Sequence, residues 1–358
     1  MGVIDLRYAQ HARAGTKAGA LGHLLRAGFP VPPGFVIPAG APLDPARIKA
    51  ELQRLAQSCG TDRVAVRSSA SAEDLAGASA AGQFTTMLGA RGAEEVQAAV
   101  GTVRDSLWSA RAAHYRGPDT APGTMAVLVQ SQVDAHASGV MFTSDPVVIE
   151  AVPGPGEALV HGRVTPDRWV VTDGHHPTRP GPGQDSDTGS WCLTDVEVHG
   201  LIAQGLAVHE ELGGPQDIEW VIDQRGRVWI VQARPVTATL PAVPTSSRTP
   251  DILSGDGLGG LAASSGRAIG PARLVHSLDD FPRVKPGDVL VCPTTDPAWT
   301  PLFGIVAGVV TEQGGLLAHA AIVAREFGIP AVLAAAGATT ALVEGTLIEV
   351  DGDTGVVR

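Results

Sequence analysis

The stretch TEQGGLLAHAAIVAREFGIPAVL, residues 311–333, places a lone histidine, His319, after two glycines at the start of a helical pattern. Ile322, Val323 and Glu326 follow at helical spacing, and Gly328 with Pro330 supplies a stop. Gly314 and Gly315 let the backbone turn sharply before the first helical turn. A ring there sits among unpaired backbone N–H groups, at the positive end of the helix dipole, which favours negative charge on or near it. Such a place suits a histidine that briefly carries a phosphoryl group. A capping or half-buried histidine is the other reading these residues allow.

A second group lies in DIEWVIDQRGRVWIVQARPV, residues 217–236, which reads as a hairpin turning near Arg225 and Gly226. With a two-residue loop, Gln224 pairs with Arg227 and Glu219 falls opposite Gln232. Directly opposed side chains have Cβ atoms about 4.5–5.5 Å apart. Two oxygen-bearing groups then converge, as a hard cation such as Mg²⁺ requires. Arg234 shares that face, where it can meet phosphate oxygens. A three-residue loop would shift the register, and the bland reading is a polar face of an exposed hairpin.

Two further stretches point the same way. In GTKAGALGHLLRAGFPVPPGFVI, Lys17 follows Gly15 at the start of a helix whose Leu21, Leu24 and Leu25 face a core. A lysine there opposes the helix dipole unless an anion sits nearby; otherwise it is simply solvated. In VAVRSSASAEDLAGASAAGQFTTML, a strand presents Arg67 and runs into small residues with Gly77 and Gly82, then Gln83, Thr85 and Thr86. Small side chains let backbone N–H groups approach a polyphosphate, although a flexible surface loop has the same composition. The chain holds neither a Walker A loop nor a Rossmann fingerprint.

These residues need elements to hold them. DPARIKAELQRLAQSCG predicts a helix capped by Asp44, with Pro45 in the first turn, Ile48, Leu52 and Leu55 on one face, and Gly60 as its stop. Strands are expected at RVAVRSS, TMAVLVQSQV and GVMFTS, mixed with helices in an α+β manner. DVLVCP, GIVAGVVT, AVLAA and TLIEVDG supply the strands of a compact α/β domain around the His319 helix. Between them lies a seam rich in Pro, Ser, Thr and Gly. The domains read as 1–238, a linker at 239–256, and 257–358.

The 358 residues suit two domains, and 44% hydrophobic with 18% charged residues suits packed cores. A net charge of −11 argues against nonspecific nucleic-acid binding. Three scattered cysteines, Cys59, Cys192 and Cys292, fit a reducing compartment rather than a disulfide framework. The N-terminus MGVIDLRYAQHARAG has no apolar core of a signal peptide, and no uncharged run has the length of a membrane span. The expectation is a cytoplasmic protein without nucleic-acid or membrane partners. No oligomeric state follows.

Taken together these stretches resemble the phosphoenolpyruvate synthase, pyruvate phosphate dikinase and rifampicin phosphotransferase family. The matching blocks include SLWSARAAHYR, ASGVMFTSDP, GPGEALVHGRVTPDRWVV and TDPAW, in the family's order over most of the chain. The resemblance implies an ATP-grasp domain followed by a compact swivelling β/β/α-type phosphohistidine domain, with ATP and Mg²⁺ as cofactors. It implies that Lys17 and Arg67 bind ATP phosphates, that Gly82 and Thr86 lie in the phosphate loop, and that Gln130 lies near the adenine. Glu219 and Gln232 would hold the metal, Arg234 would contact the transferring phosphates, and His319 would be the phosphorylated nucleophile.

On this resemblance the activity is a dikinase-type phosphotransfer: ATP phosphorylates His319, giving AMP and phosphate, and a small hydroxyl- or enol-bearing acceptor then takes the group. The acceptor binds on this chain or on a separate subunit, as in two-component relatives such as phenylphosphate synthase. The alternative is a phosphocarrier that passes its group to a partner protein. A nucleotide-holding relic is a third reading, against which the retained polar residues argue. There are departures. Leu317 and Ala318 precede His319 where the family usually has Thr-Ser, which removes a regulatory threonine and a hydroxyl. The segment before Arg67 is short for the family, and no acceptor-binding third domain is expected.

Overall fold

The computed structural model describes residues 2–71, 74, 75, 78, 79, 85–108, 124–172, 176–179, 191–236, 240 and 257–358. In chain order, helix α1 (His11–Arg26) precedes strand β1 (Gly34–Ile37). Helix α2 (Pro45–Cys59) follows the sequence reading closely. Asp44 accepts from the Ala46 and Arg47 amides, and Gly60 ends the helix in the left-handed conformation. Next come β2 (Arg63–Ala70), β3 (Thr86–Arg91), α3 (Gly92–Asp105) and β4 (Met125–Ser131). Then β5 (Ala135–Phe142), β6 (Val147–Pro153) and β7 (Asp167–Thr172) lead to the hairpin strands β8 (Gln216–Asp223) and β9 (Val228–Pro235).

The last hundred residues hold β10 (Leu261–Ser264), β11 (Arg267–Leu274), β12 (Val289–Cys292), β13 (Gly308–Thr311), α4 (His319–Phe327), β14 (Ala331–Leu333) and β15 (Leu347–Asp351). The described chain forms two compact units, residues 1–136 with 205–235, and 137–204 with 236–358.

In the first unit an antiparallel sheet runs Ile4–Asp5, β1, β4, β2, β3. Period-two alternation divides its side chains. Phe35, Ile37, Val64, Val66, Val127 and Val129 face one apolar cluster with Ile48 and Leu55 of α2 and Val96, Val100 and Val103 of α3. Arg67 and Gln130 alternate with those positions and therefore take the other face. Helix α1 packs against β2, β4 and β9. The β8–β9 hairpin belongs to the same unit.

In the second unit β5, β6, β7 and His176–Thr178 form an antiparallel set in that order. A second sheet has the parallel core β11–β12–β13–β14, with β10 antiparallel beside β14 and β15 antiparallel beside β11. One apolar cluster joins Val140, Phe142, Val148 and Val170 to Leu290, Val309, Leu316, Leu317, Ile322 and Val323. The histidine helix α4 lies on β13 and β14, which the sequence reading placed around it, and on β10, which that reading did not include.

Inside α1, Gly15 adopts φ +77°, breaking the helix so that it restarts just before Lys17. A Cβ at Gly15 would land on the Ser69 carbonyl of β2. Gly15→Ala therefore combines a strained backbone with a steric collision and should cost about 1–3 kcal/mol or more. Urea unfolding followed by tryptophan fluorescence should show a lower midpoint, and an unchanged midpoint would refute the close approach.

Candidate active site

The restarted turn of α1 is pinned to the end of β2. Thr16 Oγ1 donates to the Ala70 carbonyl at 3.2 Å, and the Ala18 amide donates to Ser69 Oγ at 3.0 Å. These bonds hold Lys17 near the helix start, where it is buried. Arg67, also buried, projects from β2 on the face that α1 covers. Gln130 is buried on β4, where its amide nitrogen donates to the Pro32 carbonyl at 2.8 Å. Thr86 opens β3 directly opposite Arg67 and is exposed. Gly82 lies outside the described residues.

The hairpin brings Glu219 opposite Gln232, though not by the expected route. The turn has three residues between Asp223 and Arg227, whose backbones are bonded at 3.0 Å, so Ile222 pairs with Val228 and Trp220 with Ile230. A bulge then skips Val231 and restores the Glu219–Gln232 pair. The skipped residue's carbonyl accepts from Arg67 Nη1. Arg67 Nη2 donates to Glu219 Oε2 at 2.8 Å and to Gln232 Oε1 at 3.1 Å. The oxygens of two neighbouring strands thus converge on one cationic group. Arg234, two residues on, pairs with Asp217 through Nε at 2.8 Å and Nη2 at 2.7 Å.

Asp217 did not emerge from the sequence reading, yet the same register count places it opposite Arg234. The turn itself is held by Asp223, whose carboxylate accepts from the Arg225 and Arg227 amides and the Trp229 indole. Burial raises the Asp223 carboxyl, but the indole and turn amides outweigh it and hold the group below its ordinary value.

In the second unit His319 occupies the first position of α4, after Ala318, and is 4% exposed. Thr295 Oγ1 stands 3.1 Å from Nδ1, and Thr300 Oγ1 stands 3.2 Å from Nε2. The Thr300 hydroxyl also donates to the Pro297 carbonyl at 3.0 Å, so it faces the ring with a lone pair. Phe303 meets the imidazole edge-on at 6.1 Å between centroids. The hydroxyls absent at 317 and 318 are therefore matched by two threonines from a different loop. Leu317 instead enters the apolar cluster. Thr295 opens the TDPAW block, but its place at the ring, like that of Thr300, comes from tertiary packing that no local pattern gives.

The donor set in the hairpin fits a hard divalent cation. Mg²⁺ is held by one or two protein oxygens, with the remaining positions left to water and substrate phosphates. Among the described residues no group of three or more His, Cys, Asp or Glu side chains forms an all-protein cage. Glu219 and Gln232 supply two oxygens on one face, with Arg67 beside them to balance anionic charge.

Comparison with known proteins agrees on both parts of the chain. Residues 45–180 and 172–250 match the model of the pyruvate phosphate dikinase AMP/ATP-binding domain, and residues 284–355 match the mobile domain of PEP-utilising enzymes. A probable phosphoenolpyruvate synthase of Methanothermobacter thermautotrophicus is 34% identical over 96% of this chain and 61% of its own length. Another, from Pyrococcus abyssi, is 38% identical over 87% of this chain and 42% of its own length. The phosphoenolpyruvate synthase of Aeropyrum pernix is 33% identical over 96% and 56%. The chain spans about half the length of the curated relatives it matches. Its mixed helix-and-sheet fold is that of an α+β ATP-grasp body with a phosphohistidine domain. Among the described residues no helix is long and apolar enough to cross a membrane.

The Arg234–Asp217 pair is largely buried, with side chains 12% and 6% exposed. Removing one partner takes the bidentate counter-charge from a largely buried group, so Asp217→Ala should destabilise the protein by about 3–5 kcal/mol. Asp217→Asn, which keeps an acceptor oxygen, should lose less. Equal urea midpoints for wild type and Asp217→Ala would show that the pair contributes nothing.

Proposed function

The chain belongs to the pyruvate phosphate dikinase AMP/ATP-binding family, joined to a PEP-utilising mobile domain, and from that premise we propose that it is a dikinase-type phosphotransferase. With Mg²⁺ bound, His319 attacks the β phosphorus of ATP and AMP leaves, water then takes the γ phosphoryl group as phosphate, and the β phosphoryl group left on the ring passes to a small acceptor. The observation that carries the reading is the convergence of Glu219 and Gln232 on Arg67 across the β8–β9 pair. That arrangement offers oxygen ligands and a cation together, as nucleotide phosphates with their metal require.

Phosphoryl transfer needs positioning and charge neutralisation more than covalent help from the protein. Lys17, Arg67 and Arg234 supply positive charge toward the phosphates, and Glu219 and Gln232 hold the metal. Mg²⁺, when bound, adds neutralisation of the polyphosphate. Gln130 is assigned to the adenine end of the nucleotide, and Thr86, opposite Arg67 on β3, to its phosphates. A neutral imidazole of His319 attacks phosphorus and splits one hard transfer into two easier ones through a phosphoramidate. The relatives' name, phosphoenolpyruvate synthase, favours an acceptor whose oxygen is enolic. The sequence reading of modules 1–238 and 257–358, joined by a linker at 239–256, belongs to this proposal.

The test is incubation of the purified chain with Mg²⁺ and ATP labelled separately at the β and γ phosphates. Wild type should form AMP and phosphate and retain β label in an acid-labile, base-stable adduct, while His319→Ala should retain none. Glu219→Ala and Arg67→Ala should each slow uptake by about 10²–10³-fold, the usual cost of losing one preorganised charge-stabilising group. ADP as the sole product, or equal labelling of His319→Ala, would overturn the mechanism.

A further inference from the structure

Glu150, in the middle of β6, is 0% exposed, and the chemistry assigned above makes no use of it. A carboxylate so buried needs partners for its charge. Arg168, its neighbour on β7, donates through Nε to Oε1 at 2.9 Å. The other partners are main-chain groups of the turn that leads into α4: the Leu316 amide donates to Oε1 at 2.7 Å, and the Leu317 amide to Oε2 at 3.0 Å. Gly315 leaves the space that the carboxylate fills, since a Cβ there would collide with it.

The same turn is tied at further points. Arg325 of α4 donates to the Leu316 carbonyl, and Thr294, beside the ring-binding Thr295, donates to the Gly162 carbonyl at 2.7 Å. Both approaches to His319, the 314–318 turn and the 294–295 loop, are therefore fastened to residues between 150 and 168. The buried amides of Leu316 and Leu317 precede the helix and would otherwise lack acceptors.

We propose that Glu150 is a positioning residue for His319. Buttressed by Arg168, it fastens the turn before the histidine helix and keeps the ring sequestered between Thr295, Thr300 and Phe303, so that the ring meets solvent only when the carboxylate releases the turn. The purpose of the latch, holding a phosphoryl-accepting nucleophile out of water, rests on the phosphohistidine reading; the latch itself does not.

Glu150→Gln keeps the shape but sets an NH₂ group against one of the two amides. In the full chain without nucleotide, hydrogen exchange of peptides covering 314–318 should become about tenfold faster or more, as for a buried donor that has lost its acceptor. Modification of His319 by diethyl pyrocarbonate, read by mass spectrometry, should accelerate in parallel. Peptides covering β4 should exchange as in wild type. Should Glu150→Gln fail to fold, Gly315→Ala attacks the same clasp from the other side and should give the same pair of changes.

Unchanged exchange at 314–318, an unreactive His319, or acceleration throughout the chain would overturn the proposal. Label uptake from MgATP is a separate measurement. A wild type that takes no label sinks the phosphohistidine reading and leaves the exchange result standing.

Discussion

A guanidinium cannot stay buried without oxygens to receive its protons, and Arg67 finds three of them on one hairpin: Glu219, Gln232 and the Val231 carbonyl. This requirement organises the first unit. It fixes which face of β2 lies toward the hairpin and which face carries the apolar cluster with α2 and α3. The restart of α1 at Gly15 then brings Lys17 to the covered side of the sheet. The same rule acts in the second unit, where Glu150 is the buried charge and the turn before His319 is part of its solvation.

Much of this was legible in the residues. Asp44, Pro45 and Gly60 bound α2 as their chemistry dictates, and Gly328 ends α4 in the left-handed conformation. The facing of Glu219 and Gln232 was legible too, for a reason that proved incomplete. The expected two-residue turn is a three-residue one, and a bulge compensates for it. Turn length and bulge are local choices of backbone geometry that a hydrophobic pattern does not encode. Thr300 and Glu150 were not legible at all, and Thr295 only as the first residue of TDPAW, without a role. Each is defined by a partner far away in the chain, and each is of a type that is usually spent on caps or surfaces.

The departure at Leu317 and Ala318 also has a physical account. A hydroxyl at 317 would enter a cluster lined by Val140, Val170, Leu290 and Val309 and would need a partner there. Leucine fills that place instead, and burial of such a side chain contributes roughly 1.5–3 kcal/mol. The polar contacts to the ring come from the loop at 294–300. The turn before His319 is thus fastened by the apolar packing of Leu317 and by main-chain bonds rather than by hydroxyls of its own.

The skipped residue in the hairpin has a consequence for how variation in this chain would read. By leaving the ladder, Val231 lets Ile230 face the apolar side while Gln232 keeps to the polar side, and its carbonyl goes to Arg67. That acceptor belongs to the main chain, so no amino-acid exchange removes it. A scan of point variants would score position 231 as tolerant, although an oxygen bound to a central arginine stands there. Only a change in chain length, one residue added or lost between Ile230 and Gln232, would expose what the position does.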